Sequence, residues 1–133
     1  MRALLAGLVI LVAGVVPLSA QDIDCSDPGN LPQQGMNYCA LKEFEAEDRK
    51  LNTAWKRVYG EVKTRDADLG EDFRGMPEAL LNAQRSWIAF RDDHCETEGF
   101  VYRGGSIEPL IYHSCRAEMT RQRTKQLNSL LEE

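Results

Sequence analysis

Four cysteines, Cys25, Cys39, Cys95 and Cys115, constrain this chain more than any other feature because of what stands in front of them. Residues Leu4 to Val16 form an apolar run behind a single early cation, Arg2, and Pro17, Leu18, Ser19 and Ala20 follow. Charge, apolar segment and small residues in that order make a secretory leader, with cleavage expected near Ala20. The run is shorter than the ~20 residues a bilayer-spanning helix needs, which favours a soluble periplasmic or secreted product over a retained, membrane-tethering leader. Ile23 and Asp24 before Cys25 do not form a lipid-attachment motif. In an exported small domain an even number of thiols reads as a disulfide framework, and four thiols allow three connectivities. Cys25 with Cys39 and Cys95 with Cys115 close the shortest loops and are the expected pairs.

Removing the first 20 of the 133 residues leaves 113, and losing Arg2 leaves 15 basic against 21 acidic side chains, a formal charge of −6. A chain of that length with 43% hydrophobic residues suits one packed domain and excludes collagen-like or disordered classes. Residues Gln21 to Gly35 carry Pro28, Gly29, Pro32 and Gly35 and should form an irregular lead-in fastened by the first bridge. From about Met36 to Lys63, Ala40, Phe44, Leu51, Trp55, Val58 and Val62 fall on one helical stripe, with charges on the other faces. Asp66 to Pro77 has loop composition with room for one helical turn.

A second helix should run from about Pro77 to Glu98, with Leu80, Ala83, Trp87, Phe90 and His94 as its stripe. Gly104 and Gly105 predict a turn with positive backbone dihedrals. A third helix should start between Ser106 and Pro109, capped by Ser106 or Glu108. Its stripe would be Tyr112, Cys115, Met119, Leu127 and Leu130, with Arg116, Arg121, Arg123 and Lys125 facing elsewhere. Helices of about 22 to 28 residues are ~33 to 42 Å long and bury their stripes only side by side. The expected fold is therefore all-α, a small antiparallel three-helix bundle with two disulfides. Cys39, Cys95, Cys115 and the loop from Phe100 to Glu108 would share one end.

Gln84, Trp87, Arg91 and Cys95 recur every three or four positions and share a face, within a run of the form Q-x-x-W-x-x-F-R-D-x-x-C that also holds Phe90 and Asp92. Gln84, Trp87, Phe90 and the first helix's Trp55 are expected to be structural. Arg91 has two readings: the centre of a recognition surface, or an inter-helix salt bridge with Glu43, Glu47 or Asp48 that sets register. The second is favoured because buried charges are normally paired. His94, Cys95, His113 and Cys115 are residue types of a zinc site. An oxidising compartment and the separate Cys pair favour a disulfide, so no metal or other cofactor is expected. No nucleophile elbow, phosphate loop or metalloprotease spacing points to an enzyme.

The Q-x-x-W-x-x-F-R-D-x-x-C run resembles a known family. With Gly104-Gly105-Ser106, Cys115, Arg123 and Leu127, and with Cys25, Met36-Asn37-Tyr38-Cys39-Ala40 and Leu51-Asn52 before it, the chain is similar to the LprI-like lysozyme inhibitor domain over nearly all of its length after the leader. The resemblance implies a small exported, helical, disulfide-bonded protein that inhibits lysozyme. It departs from the lipoprotein that named the family by lacking a lipobox.

Which residues would inhibit must be argued from this chain. Lysozyme cleaves glycan with two carboxyl groups in a cleft, and a protein of charge −6 is drawn to a basic enzyme. A cation or hydroxyl on a narrow loop could then meet those carboxyls. Arg103 and Ser106, flanking Gly104 and Gly105 between Cys95 and Cys115, fit that role, with Arg91 secondary. The simpler alternative is that the glycines turn the chain and Ser106 caps the helix. Asp22, Asp24, Asp27, Glu43, Glu45, Glu47 and Asp48, opposed only by Lys42, form either a solvated acidic face or a dock for a cationic envelope protein. Nucleic acid is not an expected partner, since phosphate contacts need a basic stripe. The competing function is a non-catalytic envelope interaction module, accessory or immunity protein, without lysozyme inhibition.

Overall fold

The computed structural model describes residues 23–132. The expected leader and its cleavage near Ala20 lie outside the described residues. Three helices carry the fold: α1 (Gln33–Ala67), α2 (Met76–Phe100) and α3 (Glu108–Ser129). Short 3-10 turns occupy Pro28–Asn30 and Glu71–Phe73, the second inside the segment expected to hold one helical turn. Both expected disulfides are present, Cys25–Cys39 and Cys95–Cys115. Among the described residues there is no strand, and no helix is long and apolar enough to cross a membrane.

Local chemistry explains the sharp corner between α1 and α2. Gly75 adopts φ 137°, a conformation L side chains rarely take, and lets the chain re-enter a helix at once. The Asp66 carboxylate accepts the amide hydrogens of Gly75 and Met76 at 2.9 and 3.0 Å, so the end of α1 caps the start of α2. Arg74 donates to the carbonyls of Leu69 and Ala67, closing the other half of the exchange.

α2 runs antiparallel to both other helices, and α1 and α3 lie parallel and pack most extensively. Leu51, Val58, Val62, Leu80 and Leu127 form the core, flanked by Trp55, Tyr59, Trp87 and Leu131. Trp55 stacks on Tyr59 at 4.8 Å, and both are partly buried against the core.

Two expected helix faces are corrected. The buried line of α2 is Leu80, Gln84, Arg91, Cys95 and Gly99, with Trp87 half-buried, whereas Ala83 and His94 are exposed and Phe90 is 58% exposed. Phe90 is thus not a core residue, and it stacks on His94 at the surface. The bridge to Cys115 pins the rotation of α2, turning Cys95 fully inward and the Phe90 side outward. On α3, Arg116, Arg121 and Arg123 turn toward the other helices, while Leu130 is exposed. Ala117, Thr120 and Leu127 are its buried positions.

Candidate functional site

Arg91 sits where all three helices meet, only 4% exposed. Its guanidinium donates to Asp92 Oδ1 at 2.9 Å, to Asp48 Oδ1 of α1 at 3.3 Å and to Thr120 Oγ1 of α3 at 3.2 Å. The rings of Phe44 and Trp87 stand 5.2 Å from its centre, a cation–π sandwich that suits a planar, weakly hydrated cation. Arg116 adds a second guanidinium 3.7 Å over Phe44 and also binds Asp92, at 3.2 Å. Two turns further along, Arg123 donates to the buried Gln84 at 3.0 Å. The reading of Arg91 as a recognition surface is therefore corrected: its charge is spent inside the bundle, fixing the register of three helices.

Only part of the acidic first segment is paired: Asp24 and Asp27 are exposed and contact Ser26 and Asn30 rather than a cation, and Asp22 lies outside the described residues. Glu43 and Glu47 pair with Arg121, Glu47 also with Lys50, Glu45 with Lys42, and Asp48 with Arg91. The sequence signal was a run of carboxylates with one neighbouring lysine; Lys42 and Lys50 are near neighbours on α1, while Arg91 and Arg121 come from distant residues of α2 and α3.

At the opposite extreme of exposure stands the connection between α2 and α3. Tyr102, Arg103, Gly105 and Glu108 amides donate to the carbonyls of Gly99, Phe100, Tyr102 and Gly105 in a succession of tight turns. Gly104 takes φ 79°, in the left-handed region, and its amide donates to Glu108 Oε2 at 2.8 Å. Gly105 lacks a positive φ, contrary to expectation, yet a Cβ there would meet the Tyr102 carbonyl oxygen at 3.0 Å. One glycine is demanded by conformation and the other by space. Ser106 does not cap α3, because no side chain caps that helix. Instead its carbonyl accepts a hydrogen bond from Asn37 Nδ2 of α1 at 2.9 Å, tying the turn to the neighbouring helix.

Residues 101–106 are all exposed. The Arg103 guanidinium lies 3.9 Å over the Phe100 ring. Phe100, Val101 and Tyr102 are 42%, 76% and 46% exposed, an apolar shoulder beside the cation. Sequence reasoning named Arg103, Gly104, Gly105 and Ser106 but missed this shoulder. Its signal was three large apolar residues in a row between Gly99 and Arg103, in a segment otherwise read as a turn.

Beside the tip lies a groove of about 340 Å³ lined by Glu96, Phe100, Glu108, Tyr112 and His113. The Nδ1 of His113 is buried and without a hydrogen-bond partner among the described residues. Burial, and secondarily the Arg116 charge, hold His113 below the ordinary histidine value, against a weaker pull from Glu45. The unfolded chain therefore takes up a proton near pH ~6.5 that the native state resists. Stability should be full above that pH and decline as pH falls through it toward the lower folded-state value. Urea midpoints across pH 8 to 5 should show this decline, and His113→Gln should flatten it; identical profiles would reject the assignment.

His94, Glu98 and Cys115 bring ligand-type atoms within 4.8 Å of one another. The Cys115 sulfur is bonded to Cys95, and His94 already faces Glu98 at 3.1 Å, so the donors do not form a thiolate metal site.

Comparison with known proteins gives two matches. The family model described as "Lysozyme inhibitor LprI" matches residues 25–127. An uncharacterized protein of Rhizobium meliloti (strain 1021) is 38% identical over 135 aligned positions, covering 99% of this chain and 97% of that protein. No solved structure matches.

Proposed function

The chain belongs to the LprI lysozyme inhibitor family, and on that footing we propose that the mature protein, exported and freed of its leader, blocks a basic lysozyme by seating the α2–α3 tip in its cleft. The observation that carries this reading is the tip itself: an exposed cation on an exposed apolar shoulder, closed off by the Cys95–Cys115 bridge. The Arg103 guanidinium is the group suited to the catalytic carboxyls. Phe100, Val101 and Tyr102 supply apolar area to be buried around it, the arrangement that usually concentrates binding energy.

Three restraints favour a tip that loses little entropy on binding: the disulfide, the Asn37 hydrogen bond and the stacking of Arg103 on Phe100. The net negative charge of the chain steers encounter with a cationic enzyme without itself blocking the cleft. Ser106 contributes through its backbone.

A muramidase assay with residues 21–133 against several lysozyme types tests the proposal. Dose-dependent inhibition is expected, and Val101→Ser with Arg103→Ala should raise the half-inhibitory concentration at least tenfold, about 1.4 kcal/mol. Both residues are exposed, so the fold should survive. Inhibition untouched by the double variant would reject the tip, and no inhibition of any lysozyme type would leave a non-inhibitory envelope module as the reading.

A further inference from the structure

Basic residues are sorted along α1 as sharply as acidic ones. From Arg49 to Arg65 the helix carries Arg49, Lys50, Lys56, Arg57, Lys63 and Arg65 against one acid, Glu61. Part of this set faces an open groove of about 590 Å³ between α1 and α3, lined by Arg49, Lys50, Thr53 and Arg57 on one side and Thr124 and Asn128 on the other. No carboxylate lines it. The groove is open because its α1 wall also presents the small side chains Ala46 and Ala54.

We infer that this groove binds a carboxylate-bearing glycan chain. Lys50 is paired with Glu47 at 2.8 Å, whereas neither guanidinium has an ion-pair contact among the described residues, Glu45 acting on Arg49 only at longer range. Arg57 donates only to the neutral Asn128 Oδ1, at 2.8 Å, and Arg49 has no carboxylate at ion-pair distance among the described residues. A guanidinium in an open groove offers its fork to a planar oxyanion.

The hydroxyls decide which oxyanion carrier fits. Thr53 donates its hydrogen to the Arg49 carbonyl and Thr124 to the Thr120 carbonyl, each at 3.0 Å. Both oxygens therefore keep acceptor capacity for a hydrogen donated by an alcohol, which a bare phosphate or carboxylate cannot supply. Cations alternating with acceptors suit a chain that alternates carboxylates with hydroxyls, which is the chemistry of an acidic polysaccharide. Arg49 and Arg57 are eight residues apart on one helix, about 12 Å, longer than one sugar ring, so the ligand is an oligomer.

This site is separate from the tip. Arg49 lies twelve residues beyond Asn37, about 18 Å along α1, and the inference does not depend on lysozyme being the partner.

Calorimetric titration of residues 21–133 with oligogalacturonate, a neutral glucan of equal length, inorganic polyphosphate and anionic lipid vesicles tests it. Oligogalacturonate should bind, with affinity falling as salt rises, and the neutral glucan should not. Arg49→Ala with Arg57→Ala should weaken binding at least tenfold at unchanged helicity, and Arg49→Lys with Arg57→Lys should restore part of it. Lysozyme inhibition should be unaltered in these variants, and Val101→Ser with Arg103→Ala should leave glycan binding intact, so the two sites fail independently. Absence of oligogalacturonate binding, binding indifferent to the double alanine variant, or tighter binding to polyphosphate or vesicles would each overturn the assignment.

Discussion

Arg91→Ala is expected to lower the free energy of unfolding by about 3 kcal/mol, the low end of the range for breaking a buried ion pair. The low end applies because Asp48 and Asp92, although bound to a guanidinium that is 5% exposed, are themselves 38% and 39% exposed and can regain water. What is lost is the hydrogen bond to Thr120 and the flat group between Phe44 and Trp87. Arg91→Met keeps the aliphatic stem in that slot and should cost clearly less than Arg91→Ala. Arg91→Lys keeps the charge but cannot reach three acceptors from one planar fork. Urea unfolding followed by helical circular dichroism measures all three. A loss under about 0.5 kcal/mol for the alanine variant would mean that the register is set elsewhere.

Removing the second bridge, as Cys95→Ala with Cys115→Ala, should cost about 3 kcal/mol, the value for a disulfide closing a loop of this order of length. The two cysteines are 20 residues apart, and Cys95 is fully buried. Inhibition should weaken more than the residual stability alone would explain, because the same bond holds the ends of α2 and α3 together beneath the tip. The corresponding removal of Cys25–Cys39, which fastens the lead-in to α1, should leave inhibition by the folded fraction unchanged. Denaturation curves and inhibition assays on the same samples separate the two effects, and equal losses of inhibition in both variants would count against the tip.

Both of these effects concern groups that the sequence brought to notice, yet it disclosed the sulfur bridge more completely than the cation. Pairing by shortest loop found both disulfides, because loop closure depends only on spacing along the chain. Helical periodicity likewise found three helices, but it left the rotation of α2 open. Phe90 and Arg91 are neighbours, and hydropathy alone chooses Phe90 for the interior. The structure chooses Arg91, because facing helices provide Asp48, Thr120 and the Phe44 ring; Asp48 was among the three carboxylates the sequence offered, but Thr120 and Phe44 are revealed by no local pattern. The same holds for Arg116 and Arg123, whose long stems pack like apolar side chains once their charged ends have partners. At the tip, the double glycine was legible because it breaks helical pattern. Phe100, Val101 and Tyr102 were not, since whether an apolar residue is covered depends on what passes over it.

The most extensive helix pair joins the two ends of the chain: Arg57 on α1 meets Asn128 on α3 across 71 positions. A ribosome or translocation channel delivering the chain amino end first therefore presents α1 long before its principal cover exists. Cys25 and Cys39, 14 positions apart, can oxidise during that interval, whereas Cys95 must wait for Cys115. The topology thus allows the first bridge to close before the second, and Val58 is covered by Leu127 only when the final helix has arrived.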